Sequence, residues 1–100
     1  MKDEILSLFR DIRPFLVSLQ EENRQMIVAL LLTEGGMSVS EITEKVDLSR
    51  PAVSHHLKLL LQGDLVTVEK RGKERIYSVN ISCIRDCLVR FTDLIDKTQG

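Results

Sequence analysis

Residues 49–60 read SRPAVSHHLKLL, and this stretch decides the fold. Serine is a preferred N-cap residue and proline is tolerated in a first turn, so a helix is predicted to begin at Ser49 and to include Pro51. Apolar residues recur at i, i+4, i+7 and i+8 and form one stripe: Val53, Leu57, Leu60 and Leu61. The opposite face carries Arg50, Pro51, Ser54, His55, Lys58 and Gln62. The pattern predicts a helix that packs along one face, offers polar and cationic groups on the other, and ends at Gly63-Asp64.

A shorter helix is predicted immediately upstream, over about residues 39–46. Ser38 and Glu41 fit a capping box, in which a serine caps the helix and a glutamate three residues later returns a hydrogen bond. Only Asp47-Leu48-Ser49 separates this helix from the next one. A short helix joined by a tight turn to a capped helix with a polar outer face is the helix-turn-helix pattern, here over residues 39–62.

A β-hairpin is predicted directly downstream. Residues 65–69 (LVTVE) and 74–79 (ERIYSV) alternate and are rich in β-branched side chains, as strands are. The turn between them, around Arg71-Gly72-Lys73, is cationic. A hairpin in this place, over residues 65–79, makes the helix-turn-helix a winged one.

Helices are also predicted on both sides of this unit. Residues 3–19 show helical spacing, although Pro14 should interrupt or kink that helix, because an interior proline removes a hydrogen bond and clashes one turn back. A second helix, over about 21–33, ends at Gly35-Gly36. Its predicted inner face comprises Met26, Ile27, Leu30 and Leu31. The last helix covers residues 81–97.

The terminal helices, residues 1–19 and 81–97, carry more apolar surface than so small a body can cover. A two-fold homodimer is the simplest arrangement that buries it. The predicted interface residues are Ile5, Leu8, Ile12, Ile84, Leu88, Phe91 and Ile95.

Length and composition bound the class of protein. One hundred residues form one domain, residues 1–100, and 43% apolar with 29% charged residues is typical of a globular chain. The fold class is therefore mainly α with a small β-hairpin. The longest apolar run, Met26–Leu32, has seven residues and is too short for a membrane span. The N-terminal MKDEILSLFRD has acids where a signal peptide needs cations, so a cytoplasmic protein without a membrane partner is expected.

The net charge of −1 hides an uneven distribution of charge. Residues 1–49 carry 5 Lys/Arg against 9 Asp/Glu, whereas residues 50–75 carry 6 against 3. The positive charge therefore lies in the segment that contains the capped helix and the hairpin. A localised positive segment favours a polyanionic partner for that part of the molecule.

The chain resembles the ArsR/SmtB family of bacterial winged-helix repressors. The resemblance covers about residues 20–80 by motif and the whole chain by element order, and its most specific part is SVSEITEKVDLSRPAVSHHLKLLLQGDLVTVEKRGKERIYSV. It implies a homodimer joined by the first and last helices, bound to double-stranded DNA at an inverted-repeat operator. The helix at 49–62 would enter the major groove, with Ser49, Arg50, Ser54, His55 and Lys58 as candidate contacts. On the wing, Lys70, Arg71, Lys73 and Arg75 would contact phosphates or a minor groove.

The metal sites usual in that family are missing. The usual box on the short helix reads Glu-Leu-Cys-Val-Cys-Asp-Leu, but this chain has Ser38 and Ser40 in place of both cysteines, and serine hydroxyls do not replace thiolates for soft metals. The other common site needs histidine on the last helix, and no histidine follows His56. Neither a metal nor another cofactor is therefore expected.

Cys83 and Cys87 leave one alternative open. Their i, i+4 spacing places both thiols on one side of the last helix, where they could act as a thiol or metal sensor, or as small apolar residues at the edge of its stripe. His55 and His56 point about 100° apart on their helix and cannot chelate one ion together, so His55 is assigned to DNA and His56 to packing.

The sequence therefore predicts a dimeric, sequence-specific DNA-binding transcriptional regulator, a repressor of ArsR type. A winged helix for protein–protein assembly is the alternative from another class, and it would need neither the cationic wing nor the polar helix face. An enzyme is not expected, because the chain has no phosphate loop, no nucleophile–base pair and no ligand cluster for a catalytic metal.

Overall fold

A computed structural model describes residues 1–99 and confirms the predicted order of elements. Five helices and one hairpin follow one another along the chain: α1 (Lys2–Ser18), α2 (Glu22–Glu34), α3 (Val39–Lys45), α4 (Arg50–Gln62), β1 (Val66–Arg71), β2 (Glu74–Val79) and α5 (Ile81–Gln99). The fold is a winged helix-turn-helix with a helix added at each end. Among the described residues, no helix combines the length and the hydropathy that a membrane span requires.

The helix starts that the sequence predicts are present. Ser38 Oγ accepts from the Glu41 backbone N–H at 3.2 Å, and Glu41 Oε1 accepts from the Ser38 N–H at 3.1 Å, so the capping box is complete. At α4, Ser49 Oγ accepts from the Ala52 N–H at 3.3 Å. These bonds satisfy N–H groups that a helix start leaves without a partner and hold α3 and α4 at fixed points in the chain.

The main core lies between α2, α3, α4 and the hairpin. From α4, the stripe of Val53, Leu57 and Leu60 is at most 1% exposed, as its spacing predicts. The predicted inner face of α2 is partly wrong, because Met26 is 43% exposed and Val28 is buried in its place. The helix packs against both α4 and β2, so its buried arc turns toward Val28 and away from Met26.

The hairpin is tied to the segment that leads into α3. Its strands pair antiparallel from Val66 opposite Val79 to Arg71 opposite Glu74. Met37 and Tyr77 exchange backbone hydrogen bonds of 2.9 and 2.8 Å, which attach the leading segment to β2. A Cβ on Gly36 would lie 2.7 Å from Ser78 Oγ and 2.9 Å from Ile76 Cγ2, so a larger residue here would have to displace side chains of β2. The wing and the helix-turn-helix are therefore joined directly, beyond their connection through the chain.

Of the two effects expected of Pro14, an interruption does not occur, because α1 runs unbroken from Lys2 to Ser18. Residues on both sides of Pro14 are held by packing: Leu8 is buried against α5, and Phe15 packs on the main core. This packing offsets the hydrogen bond that the proline ring removes. Ser18 Oγ also donates to the Pro14 carbonyl at 2.9 Å.

The terminal helices pack against each other beside the main body. The rings of Phe9 and Phe91 have centroids 6.2 Å apart, and Arg90 Nη2 lies 3.0 Å from Asp11 Oδ2. Leu8, at 1% exposed, belongs to the protomer's own core and leaves almost no surface for a partner. The other proposed interface residues keep accessible surface: Ile5, Ile12 and Ile84 are half-buried, and Leu88, Phe91 and Ile95 are exposed.

Candidate nucleic-acid interface

The outer face of α4 is open to solvent over its whole length. Ser54, His55 and Lys58 are exposed, as is Ser49 at the cap. The buried stripe on the other side anchors the helix against the core, so the exposed side chains are held on a rigid element. A helix of 13 residues with short polar and cationic side chains on one face has the length and chemistry to read base edges in a major groove.

Arg50 lies at the start of α4 and turns toward α3. Its Nη1 donates to Ser40 Oγ at 2.6 Å, across ten residues of sequence. This contact ties the Arg50 guanidinium to α3. Sequence reasoning did not find Ser40, because nothing local pairs two polar residues on different helices.

The wing concentrates positive charge that has few partners of its own. Arg71 Nη2 lies 3.5 Å from Glu69 Oε2, both side chains being well exposed. For Lys70, Lys73 and Arg75, no carboxylate lies within ion-pair distance in residues 1–99. The strand register also places Lys70 directly opposite Arg75, and like charges at opposed positions destabilise a hairpin unless an anion neutralises them.

His56 sits on the flank of α4 with a structural role, as the sequence interpretation assigned it. Arg24 Nη1 lies 3.3 Å from its Nδ1, and Glu21 Oε2 lies 3.8 Å from the same atom. Arg24 Nε also donates to the Ser18 carbonyl at 2.7 Å, so one side chain links α1, α2 and α4. Burial lowers the pKa of His56 and the Arg24 charge lowers it further, while Glu21 opposes the shift.

Cys83 and Cys87 lie half-buried on one side of α5. Burial raises the pKa of the Cys83 thiol, and the neighbouring Cys87 and Asp64 add to the shift. A raised thiol pKa lowers the fraction of thiolate, which is the form that reacts with oxidants. No group of three metal-ligating side chains occurs in the part of the chain that the structure describes.

Comparisons with known proteins agree with this geometry. A family profile described as "Helix-turn-helix domain" matches residues 19–69. The transcriptional repressor SdpR of Bacillus subtilis is 31% identical over 67 residues, 67% of this chain and 74% of that protein. The arsenical resistance operon repressor of Staphylococcus xylosus is 31% identical over 72 residues, 72% of this chain and 68% of that protein.

The fold is likewise shared with solved structures. The homodimeric winged helix-turn-helix domain of Mb0332 from Mycobacterium bovis, described as a possible ArsR-family regulator, superposes with a TM-score of 0.72 at 20% identity, over 92% of this chain and 84% of that one. Taken with the matching profile and the two repressor relatives, the capped helix pair and its wing show that this chain belongs to the ArsR family of winged helix-turn-helix transcriptional regulators.

Proposed function

We propose that the protein is a homodimeric, sequence-specific DNA-binding regulator that represses transcription in the cytoplasm. One observation carries the proposal: the exposed polar face of α4 adjoins a wing whose cations Lys70, Lys73 and Arg75 have no acidic partner among residues 1–99. Polar side chains suit base edges and unpaired cations suit phosphates, so the two surfaces together match a DNA duplex. The names of the two relatives support repression as the outcome.

Dimerisation is proposed because an apolar strip lies open on the terminal helices. Leu88 is 62% exposed, and Phe91 and Ile95 continue the strip one and two turns further along α5. Exposed leucine and phenylalanine at helical spacing are typical of a surface that a second copy covers. The homodimeric state of the Mycobacterium bovis domain supports the same assembly here. Two α4 helices related by a two-fold axis would bind an inverted repeat.

The first experiment incubates the purified, reduced protein with fragmented DNA from its source genome and sequences the retained fragments at two salt concentrations. We expect a shared palindrome that persists at the higher salt. Retention without a motif, lost at the higher salt, would contradict sequence-specific regulation and would favour a role in protein–protein assembly.

Substitutions on the wing and on α4 should change binding to that palindrome in different ways. The double variant Lys70→Ala/Lys73→Ala should weaken binding to matched and scrambled duplexes alike and reduce the salt slope by about 2, because each lost phosphate contact removes about one unit. Ser54→Ala or His55→Ala should instead change the ratio between the two duplexes, since a good base contact is worth about 1–3 kcal/mol. Fluorescence anisotropy at several salt concentrations measures both quantities. If both sets of variants gave the same ratio of affinities for matched and scrambled duplexes, the assignment of the wing to phosphates and of α4 to bases would be contradicted.

A further inference from the structure

A cleft of about 330 Å³ separates the start of α3 from the wing. Ser38, Ser40 and Arg50 line one wall, and Lys73, Glu74 and Arg75 line the other. The two walls keep a fixed spacing, because the hydrogen bonds between Met37 and Tyr77 join the leading segment of α3 to β2 directly beside the cleft.

The charge of the cleft is positive and uncompensated. Three cations, Arg50, Lys73 and Arg75, face a single carboxylate, that of Glu74. Over residues 1–99 none of the three cations forms an ion pair. Lys70, directly opposite Arg75 in the hairpin, adds a fourth positive charge at the edge. Like charges gathered around one cleft repel one another, so an anion bound between them would relieve the repulsion.

The donors in the cleft suit the oxygens of a phosphate. Arg50 uses one Nη1 hydrogen for Ser40 Oγ, at 2.6 Å, and a guanidinium has five N–H donors in a planar fork. The Ser40 hydroxyl accepts from Arg50, so its own hydrogen remains available to donate. Ser38 is already engaged at the α3 cap and contributes a wall, not a donor. Arg50, Ser40 and the wing cations can therefore donate to one tetrahedral anion from two sides.

We propose that this cleft is a phosphate seat, which binds one phosphodiester of the DNA backbone in each half-site. The inference rests on the proposed function and refines it, because it moves Arg50 from the base-reading row to the backbone contacts. The cleft lies between the wing and a wall formed by the starts of α3 and α4, so it adjoins both elements that the proposed function assigns to DNA. A phosphate held there would set the position of α4 along the groove without reading sequence.

The test replaces single phosphates of the selected palindrome, one at a time, with neutral methylphosphonates. Wild-type protein should lose about 10-fold in affinity at one phosphate per half-site, as expected for a charge-assisted hydrogen bond. Arg50→Ala should bind the unmodified duplex about 10-fold more weakly and show little further loss at that same phosphate, because the interaction is already absent. Ser40→Ala should also weaken binding to the unmodified duplex and reduce the further loss at that phosphate, but both changes should be smaller than for Arg50→Ala.

Two controls make the test specific. Arg85→Ala removes the same side chain from an exposed position on α5, outside the cleft, and should keep the wild-type methylphosphonate profile. Arg50→Ala should leave unchanged the ratio of affinities for matched and base-substituted palindromes, whereas a base-reading arginine would change it. An altered ratio with an unaltered methylphosphonate profile would overturn the proposal.

The source of the phosphate is tested by competition. Inorganic phosphate should weaken DNA binding more than chloride does at equal ionic strength, and the excess should disappear in Arg50→Ala, because both anions would compete but only phosphate matches the donors of the cleft. Inorganic phosphate that binds wild-type protein but not Arg50→Ala, and that leaves DNA affinity at the level of the chloride control, would assign the cleft to a free anion and overturn the DNA assignment. If the wild-type protein selects no palindrome, the proposed function fails too; if it selects one but Arg50→Ala keeps the full methylphosphonate profile, only the seat fails.

Discussion

Single residues in this protein often serve a purpose that their type alone does not reveal. Gly63 looks like a helix stop, yet its φ of −88° is one that any residue adopts. It is glycine because α1 passes so close that a Cβ would lie 3.0 Å from the Pro14 carbonyl oxygen. The left-handed conformation falls instead on Asp64, with φ of 60°. Position 63 is therefore glycine because α1 leaves no room for a side chain, and not because the backbone needs a conformation that only glycine adopts.

His56 gives a pH dependence of stability that belongs to this one side chain. The unfolded chain binds a proton with the ordinary histidine pKa of 6.5, whereas burial and Arg24 lower the pKa of the folded state. Below pH 6.5 the unfolded state therefore binds more protons, so the free energy of unfolding should fall as the pH drops through both values. Urea unfolding followed by circular dichroism between pH 7.5 and 5 measures this change.

The matched variants are His56→Gln, which should flatten that dependence, and His55→Gln on the exposed face, which should keep it. An equal pH dependence in wild type and His56→Gln would show that another group is responsible.

At the scale of elements, residues near one another in sequence predicted most of the architecture. The capping residues Ser38 and Ser49 and the α4 stripe act within one or two turns, so their consequences can be read from spacing alone. The pairs Arg24–His56 and Arg50–Ser40 lie 32 and 10 residues apart, and no local pattern connects them. The charged wing was visible in the sequence, but the cleft beside it depends on how α3 meets β2.

The contact between α1 and α4 should be sensitive to one added methyl group. Gly63→Ala would force apart the last turn of α1 and the end of α4, at a cost of about 1–3 kcal/mol, as overpacking usually costs. Thermal unfolding measures the loss. Gln62→Ala, at the exposed neighbouring position, should change the stability by no more than about 0.5 kcal/mol. Equal melting temperatures for the two variants would mean that the helices separate without cost.

The whole molecule is more extended than a chain of this length needs to be. Its extents are 49 × 24 × 20 Å, and its radius of gyration of 15.6 Å exceeds the roughly 13 Å expected for 100 compact residues. The terminal helices reach beyond the main core and carry Leu88, Phe91 and Ile95 on their open side. The apolar stripes of the sequence predicted this surface. They also placed Leu8 on it, because spacing alone cannot distinguish a residue that faces α5 from one that faces a partner protomer.

Leu88→Glu should dissociate the dimer without unfolding the protomer, because this side chain is already 62% exposed. Burying a leucine is worth about 1.5–3 kcal/mol, and the two-fold axis doubles the effect, so the dimer dissociation constant should rise at least about 100-fold. Sedimentation velocity measures the oligomeric state. Ser82→Glu places the same charge at another exposed position of α5, about 120° around the helix from Leu88, and should leave the dimer intact. A Leu88→Glu variant that remained dimeric would move the interface elsewhere.

The bond pair between Met37 and Tyr77 limits how such a molecule can be switched off. The wing is attached to the start of α3 by this pair, and the Asn80 N–H donates to the Leu65 carbonyl at 2.9 Å, so the hairpin and the helix-turn-helix are tied together at two points within each protomer. In the proposed dimer, the distance between the two α4 helices would therefore change more readily than the arrangement of α4 and the wing within one protomer. In the dimer proposed through α1 and α5, a signal that releases DNA would act on these two helices and would leave the α4 and wing of each protomer in place.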